Sequence, residues 1–144
     1  AYTTEFVAAR AGPVTMSNGL ELVATRRYAD VRDADTLLVA GGIGWEAATK
    51  DQALLRWLTA EARRVKRLGS ICNGALLLAA AGLLDGKPAT THWAYLDRLS
   101  AMAPRARIDR DALYVRAGNL YTSAGVTAGM DLSLALIEQD HGKA

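Results

Sequence analysis

Apolar residues along this chain follow two rhythms. Thr36-Leu37-Leu38-Val39-Ala40 and the run Leu68-Gly69-Ser70-Ile71-Cys72 are short and nearly continuous, as in strands buried on both faces. Residues 51–66 instead space their apolar side chains for a helix, with Leu54, Leu58, Ala62 and Val65 on one stripe and Trp57 beside it. A mostly apolar helix is predicted from Cys72 through Ala81, with Gly82 at its C-terminus. Further helices are predicted over 93–102, stopping near Pro104, and over 127–141, between Gly125 and Gly142. Shorter extended runs are read at 5–9, 88–92, 106–109, 112–116 and 119–123, with Ala117-Gly118-Asn119 as the hairpin joining the last two. Pro13–Met16 and Leu20–Ala24 flank Ser17-Asn18-Gly19, a strong hairpin signal. Residues 30–35 are polar and read as a short connection.

Strands that alternate with helices around continuous apolar runs predict an α/β sandwich with a mainly parallel sheet and an added β-hairpin. Ligands of such sheets bind at the carboxyl ends of the strands. Two strand ends stand out here: the turn Gly41-Gly42-Ile43-Gly44 and Cys72.

Composition narrows the class. The 144 residues suffice for one domain with a real core, and no repeat, linker or low-complexity tract divides them. The net charge of +2 is too mild to argue for nucleic-acid contact. The basic cluster Arg63, Arg64, Lys66 and Arg67 falls where a helix ends, and cations there complement the helix dipole. One cysteine forms no internal disulfide, so a reducing cytoplasmic compartment is expected. Neither a membrane span nor a signal peptide is expected, and one Cys with two His at no close spacing predicts no metal site.

Candidate chemistry centres on Cys72. A thiol at a strand-to-helix turn faces helix N–H groups, which favour the thiolate. Asn73 and the Gly41-Gly42 turn offer backbone N–H groups to an anion, as an oxyanion hole does. His92 follows another short strand and is placed to act as general acid or base, with Trp93 beside it as a pocket wall. The residues alone leave plainer readings open. Cys72 also reads as a small core hydrophobe, His92 as a structural histidine, and the glycine run as a simple turn. That run is not a phosphate loop, because no lysine or further glycine follows at the required spacing. His141 reads as a helix-end residue, and Trp45, Trp57, Tyr114 and Tyr121 as packing residues.

The run Gly69-Ser70-Ile71-Cys72-Asn73-Gly74-Ala75, followed by residues 80–93 (Ala-Ala-Gly-Leu-Leu-Asp-Gly-Lys-Pro-Ala-Thr-Thr-His-Trp), resembles the PfpI superfamily, which has the class I glutamine-amidotransferase-like, flavodoxin-like fold. Residues 119–132 and the ending Glu138-Gln139-Asp140-His141-Gly142 resemble the sensor domain of GlxA-type AraC-family transcriptional regulators. The resemblance runs over essentially the whole chain.

The resemblance implies a three-layer sandwich and a single domain over 1–144, with Cys72 at the nucleophile position, His92 nearby and oxyanion donors at Gly42 and Asn73. It also implies that a strand and a helix precede this segment. That helix carries an acidic residue which contacts the cysteine in the enzymes, and no such partner is present in this chain. Many relatives have Thr after the cysteine, where this chain has Asn73. A central sheet without its first strand leaves strand edges open. The regulators carry a C-terminal helix-turn-helix domain, absent from this chain, so DNA is expected to be contacted only through that domain.

The expected function is therefore a non-catalytic ligand-sensing and dimerisation domain. It would bind a small metabolite such as an amine or amide at Cys72, as a homodimer, with no cofactor. The alternative is a cysteine-dependent enzyme using Cys72 and His92: a hydrolase, an isonitrile-hydratase-like enzyme or a glyoxalase-like lyase. A third reading is a structural dimerisation domain with a vestigial pocket.

Overall fold

A computed structural model describes residues 2–143. They form two compact units, one ending at Ala34 and one beginning at Asp35.

The first unit contains β1 (Val7–Ala8), β2 (Gly12–Thr15), β3 (Glu21–Ala24) and β4 (Arg26–Arg27). The predicted hairpin is present: β2 and β3 pair antiparallel, with Val14 opposite Leu22 and Thr15 opposite Glu21. Its turn closes through Met16 N–H to the Leu20 carbonyl at 2.7 Å, and Gly19 adopts the left-handed φ of 84° that the turn needs. The strand expected over 5–9 is shorter, and β1 pairs parallel with β4. Nothing in the apolar pattern marks β4, because it consists of two arginines. Ion pairs hold it instead: Arg26 with Glu5 and Asp33, and Arg27 with Asp30.

The second unit carries β5 (Thr36–Val39), α1 (Trp45–Ala48), α2 (Gln52–Arg64), β6 (Arg67–Ser70), α3 (Ala75–Ala80), β7 (Pro88–Ala89), α4 (Leu96–Met102), β8 (Arg107–Ile108), β9 (Tyr114–Ala117), β10 (Leu120–Ser123) and α5 (Val126–His141). The main sheet has the order β5-β6-β10-β9. β5, β6 and β10 are parallel, and β9 returns antiparallel through the turn at Gly118. β7 and β8 form a separate parallel pair.

The strand period of two divides the core. Leu37, Leu68 and Leu120 join one buried cluster with Leu58 of α2, Leu76 and Leu78 of α3 and Leu99 of α4. Tyr121, the next residue on β10, belongs to a second cluster with Leu132 and Leu136 of α5. Helices therefore cover opposite faces of the sheet, and the unit is the predicted three-layer α/β sandwich of flavodoxin-like type.

Two local details differ from the sequence reading. The stripe of α2 is wider than read: Leu58 and Val65 are buried and Leu54, Trp57 and Ala62 pack against the core as expected, while Leu55 and Glu61 are buried beside them. Its start is set by Asp51, whose carboxylate accepts from the N–H groups of Ala53 and Leu54 at 2.9 and 3.1 Å. The second detail is α1, a single turn that follows the glycine run directly and that periodicity is too short to reveal.

Candidate functional site

Cys72 sits where β6 gives way to a turn of 3-10 helix over Cys72–Gly74 that leads into α3. Its φ is 57°, the only left-handed backbone at a non-glycine residue among those described. A side chain in that region costs on the order of 1–2 kcal/mol and persists only where its surroundings hold it. They do so from three sides. Cys72 N–H donates to the Ala124 carbonyl at 2.9 Å, just beyond β10. The Thr91 hydroxyl donates to the Cys72 carbonyl at 2.8 Å. Ile71 N–H, one residue earlier, donates to the Val39 carbonyl at 3.0 Å, at the end of β5. The thiol is half-buried.

The end of β5 and the elbow approach so closely that only glycine fits. A Cβ on Gly74 would lie 2.3 Å from the Val39 carbonyl oxygen, and one on Gly41 would lie 2.5 Å from Asn73 Oδ1 and 2.9 Å from Cys72 Cβ. The Gly42 N–H, expected as an anion donor, is engaged by the side chain of Asn73, the residue whose backbone N–H was the other expected donor. Gly42 N–H donates to Asn73 Oδ1 at 2.8 Å, and Asn73 Nδ2 donates back to the Gly42 carbonyl at 3.2 Å. Asn73 is buried, with 4% exposure.

His92 accepts at Nδ1 from the Ala94 N–H at 3.2 Å, which in the neutral ring leaves the proton on Nε2. Its ring faces Gly125, where an added Cβ would lie 3.2 Å from His92 Cδ2. Gly125 follows the carbonyl that holds Cys72, so both residues border the end of β10. Trp93, expected as a pocket wall, is 77% exposed, and its ring leans on His92 at 5.3 Å between centroids. Tyr95 contacts His92 edge-on at 6.1 Å and Trp45 at 5.8 Å, and the Arg98 guanidinium lies over Trp45. Trp45 is thus a packing residue, but its packing belongs to the aromatic group around His92.

A buried polar layer at the strand ends was not anticipated. Ser70, Thr90, Thr91, Thr122 and Ser123 are all essentially inaccessible. Thr122 Oγ1 accepts from the Thr90 N–H at 2.9 Å, while the hydroxyls of Ser70, Thr90 and Ser123 have no hydrogen-bond partner among the described residues. The signal in the sequence is slight: a Ser or Thr closes each of two otherwise apolar strands, and two threonines precede His92.

At the opposite end of β6 a cleft of about 320 Å³ is lined by Lys66, Arg67, Arg116, Tyr121, Gln139 and Asp140. Its buried Arg67 bonds Asp140 twice, at 3.0 and 2.6 Å, and Thr36 Oγ1 at 2.9 Å. These contacts tie the end of α5 to the start of the sheet. Among the described residues no helix is long and apolar enough to cross a membrane.

The elbow thus holds a half-buried thiol at a strand end that the His92 imidazole and its aromatic flank also border. A thiol and an imidazole are the groups that nucleophilic and acid–base chemistry employ. Known proteins resemble most of this chain in sequence and fold. An isonitrile hydratase from Pseudomonas putida is 42% identical over 127 residues, which is 88% of this chain and 54% of that protein. The HTH-type transcriptional regulator CdhR of Pseudomonas aeruginosa is 37% identical over 141 residues, 98% of this chain and 41% of the regulator. The crystal structure of a THiJ/PfpI family protein from Pseudomonas syringae superposes with a TM-score of 0.85 at 39% identity, covering 94% of this chain and 55% of that one. The chain therefore spans about half the length of the curated relatives it matches. The profile of the DJ-1/PfpI family matches residues 1–139. With that match over nearly its full length, the chain belongs to the DJ-1/PfpI family.

Proposed function

We propose that residues 1–144 act as the ligand-sensing and dimerisation domain of an AraC-family, GlxA-type transcriptional regulator, with a non-catalytic pocket at Cys72. The carrying observation is the match to CdhR, which takes in 98% of this chain but only 41% of the regulator. The remainder of such a protein has room for a DNA-binding domain. In this reading a strand and helix precede the segment and the DNA-binding domain follows it. The protein works in the cytoplasm as a homodimer and needs no cofactor. Cys72 and His92 face a small metabolite, Gly42 and Asn73 shape the turn beneath it, and Trp93 forms an outer flank. Binding biases the dimer and, through it, the DNA-binding domain.

The test is a thermal-shift screen of the 144-residue chain against a set of small amines and amides. The expected result is a compound that raises the melting temperature, is recovered unchanged, and binds at least tenfold more weakly to Cys72→Ala and His92→Ala. A compound whose effect survives both substitutions would place binding elsewhere and favour a purely structural role for the elbow.

A second reading is favoured by the 42% identity to isonitrile hydratase. Incubation with a simple alkyl isonitrile distinguishes it. Formation of the N-alkylformamide, dependent on Cys72, would replace the sensor reading with an enzymatic one.

A further inference from the structure

The amide that follows the cysteine occupies the backbone donor which a nucleophile here would need. Gly42 N–H and the Gly42 carbonyl are both engaged by the Asn73 side chain, at 2.8 and 3.2 Å, in a closed two-point contact. We propose that Asn73 is a positioning residue that withholds the Gly42 N–H from the Cys72 pocket, so that the pocket takes ligands bearing no negative charge at the atom beside the thiol. This deepens the sensor reading and rests on Cys72 lining the pocket.

Three observations carry it. The Gly41-Gly42 peptide lies against the cysteine, since a Cβ on Gly41 would come within 2.9 Å of Cys72 Cβ. The Gly42 N–H, one peptide bond on, therefore belongs to the backbone that borders the Cys72 side chain. The missing side chain at Gly41 is also what lets the amide reach, because a Cβ there would lie 2.5 Å from Asn73 Oδ1. Finally, Asn73 is only 4% exposed, so its amide has no solvent to exchange into. A buried amide that gives up its partners faces the full cost of desolvation, and the contact is therefore held rather than incidental.

The chemical consequence is specific. Attack of the Cys72 thiolate on a carbonyl forms an S–C bond and moves the carbonyl π electrons onto oxygen. That oxygen needs N–H donors at hydrogen-bond distance, and loss of one such donor slows the step by roughly 100- to 1,000-fold. An N–H already directed at an amide oxygen is not available to it. An elbow of this kind keeps a thiol that can contact a ligand but is poorly equipped to turn over an acyl substrate.

Two reagents acting on the same thiol test this on the full chain. Iodoacetamide alkylates sulfur with loss of iodide and forms no oxyanion. p-Nitrophenyl acetate acetylates sulfur through a tetrahedral oxyanion and releases p-nitrophenolate. Both rates are corrected with Cys72→Ala. Their ratio cancels the thiolate fraction and reports oxyanion stabilisation alone. Asn73→Ala is expected to raise the acylation-to-alkylation ratio by at least about tenfold, part of the roughly 100- to 1,000-fold that a single donor contributes. Asn73→Asp, whose Oδ1 still accepts from Gly42, should stay near the wild-type ratio. An unchanged ratio in a folded Asn73→Ala overturns the proposal. Amide hydrogen exchange of Gly42 in the wild-type chain gives an answer even if Asn73→Ala does not fold. A protected Gly42 supports the contact, and a Gly42 exchanging like an open amide overturns it. A protected Gly42 beside a thiol inert to both reagents would uphold the contact and count instead against Cys72 lining a pocket.

Discussion

Gly74 provides the sharpest test of how the elbow is built. Its backbone is right-handed helical, with φ −57° and ψ −25°, a conformation that alanine prefers. By local propensity alone Gly74→Ala should stabilise the chain by up to about 1 kcal/mol. The tertiary contact opposes this. The new Cβ would stand 2.3 Å from the Val39 carbonyl oxygen and 3.1 Å from both the Val39 carbonyl carbon and the Ala40 oxygen. All three obstacles are backbone atoms at the end of β5, a strand paired over its length with β6. Relief requires about 1 Å of main-chain movement and disturbs the bond from Ile71 N–H to Val39 O. Overpacking of this kind costs about 1–3 kcal/mol, and with rigid backbone as the obstacle the upper end applies. The expected net loss is about 2 kcal/mol, a fall in melting temperature of roughly 6–10 °C for a chain of this size. Denaturant titration measures it, with Gly44→Ala as the control, since nothing lies within 4 Å of a Cβ there. A Gly74→Ala chain as stable as wild type, or more stable, would refute the close approach of strand and elbow.

The other predictions concern strain, buried charge and pH. Cys72→Gly removes the cost of a side chain at φ 57° and should raise stability by about 1 kcal/mol, while the β-branched Cys72→Val should lower it; urea midpoints of the two variants decide. Asp140→Asn leaves the nearly inaccessible Arg67 without its carboxylate and should cost about 3 kcal/mol by denaturant titration, whereas replacing Arg67 by Met should cost less. The carboxyl of Asp33 lies below its ordinary range, chiefly through its hydrogen bond to Arg26, and that of Asp30 through its bond to Arg27. A carboxyl whose folded pKa is depressed contributes stability that is present above its ordinary pKa and is lost as pH falls from there through the lower folded pKa. Hydrogen-exchange protection of residues 5–33 should therefore drop on acidification from pH 5 to 3, and less steeply in Asp33→Asn.

Much of the fold is legible along the chain, for identifiable reasons. The apolar run ending at Ser70 is a strand buried on both faces, which has no polar side to show, whereas that of 36–39 lies at the edge of its sheet and leaves Leu38 exposed. The helix of 126–141 is bounded by glycines that the sequence displays openly. The hairpin at Asn18-Gly19 was readable because a tight turn requires a left-handed residue there. β4 was not, because two arginines held by ion pairs carry no apolar signature. The stripe of α2 was legible by its period, but its width was not, because only the packed neighbours decide that Leu55 and Glu61 are covered as well.

The elbow divides in the same way. Local sequence determined that a cysteine ends a strand, that glycines surround it, and that a histidine follows another short strand. These are statements about neighbours in the chain, governed by propensity, periodicity and backbone sterics. That the Gly42 N–H is directed at the Asn73 side chain was decided only by the fold. They are 31 residues apart, and a two-point hydrogen bond between them depends on the separation of two strand ends to within tenths of an ångström. The same holds for the Thr91 hydroxyl on the Cys72 carbonyl and for the exposure of Trp93. Residue type shows which groups can pair, but the packed sheet sets which of them come within reach.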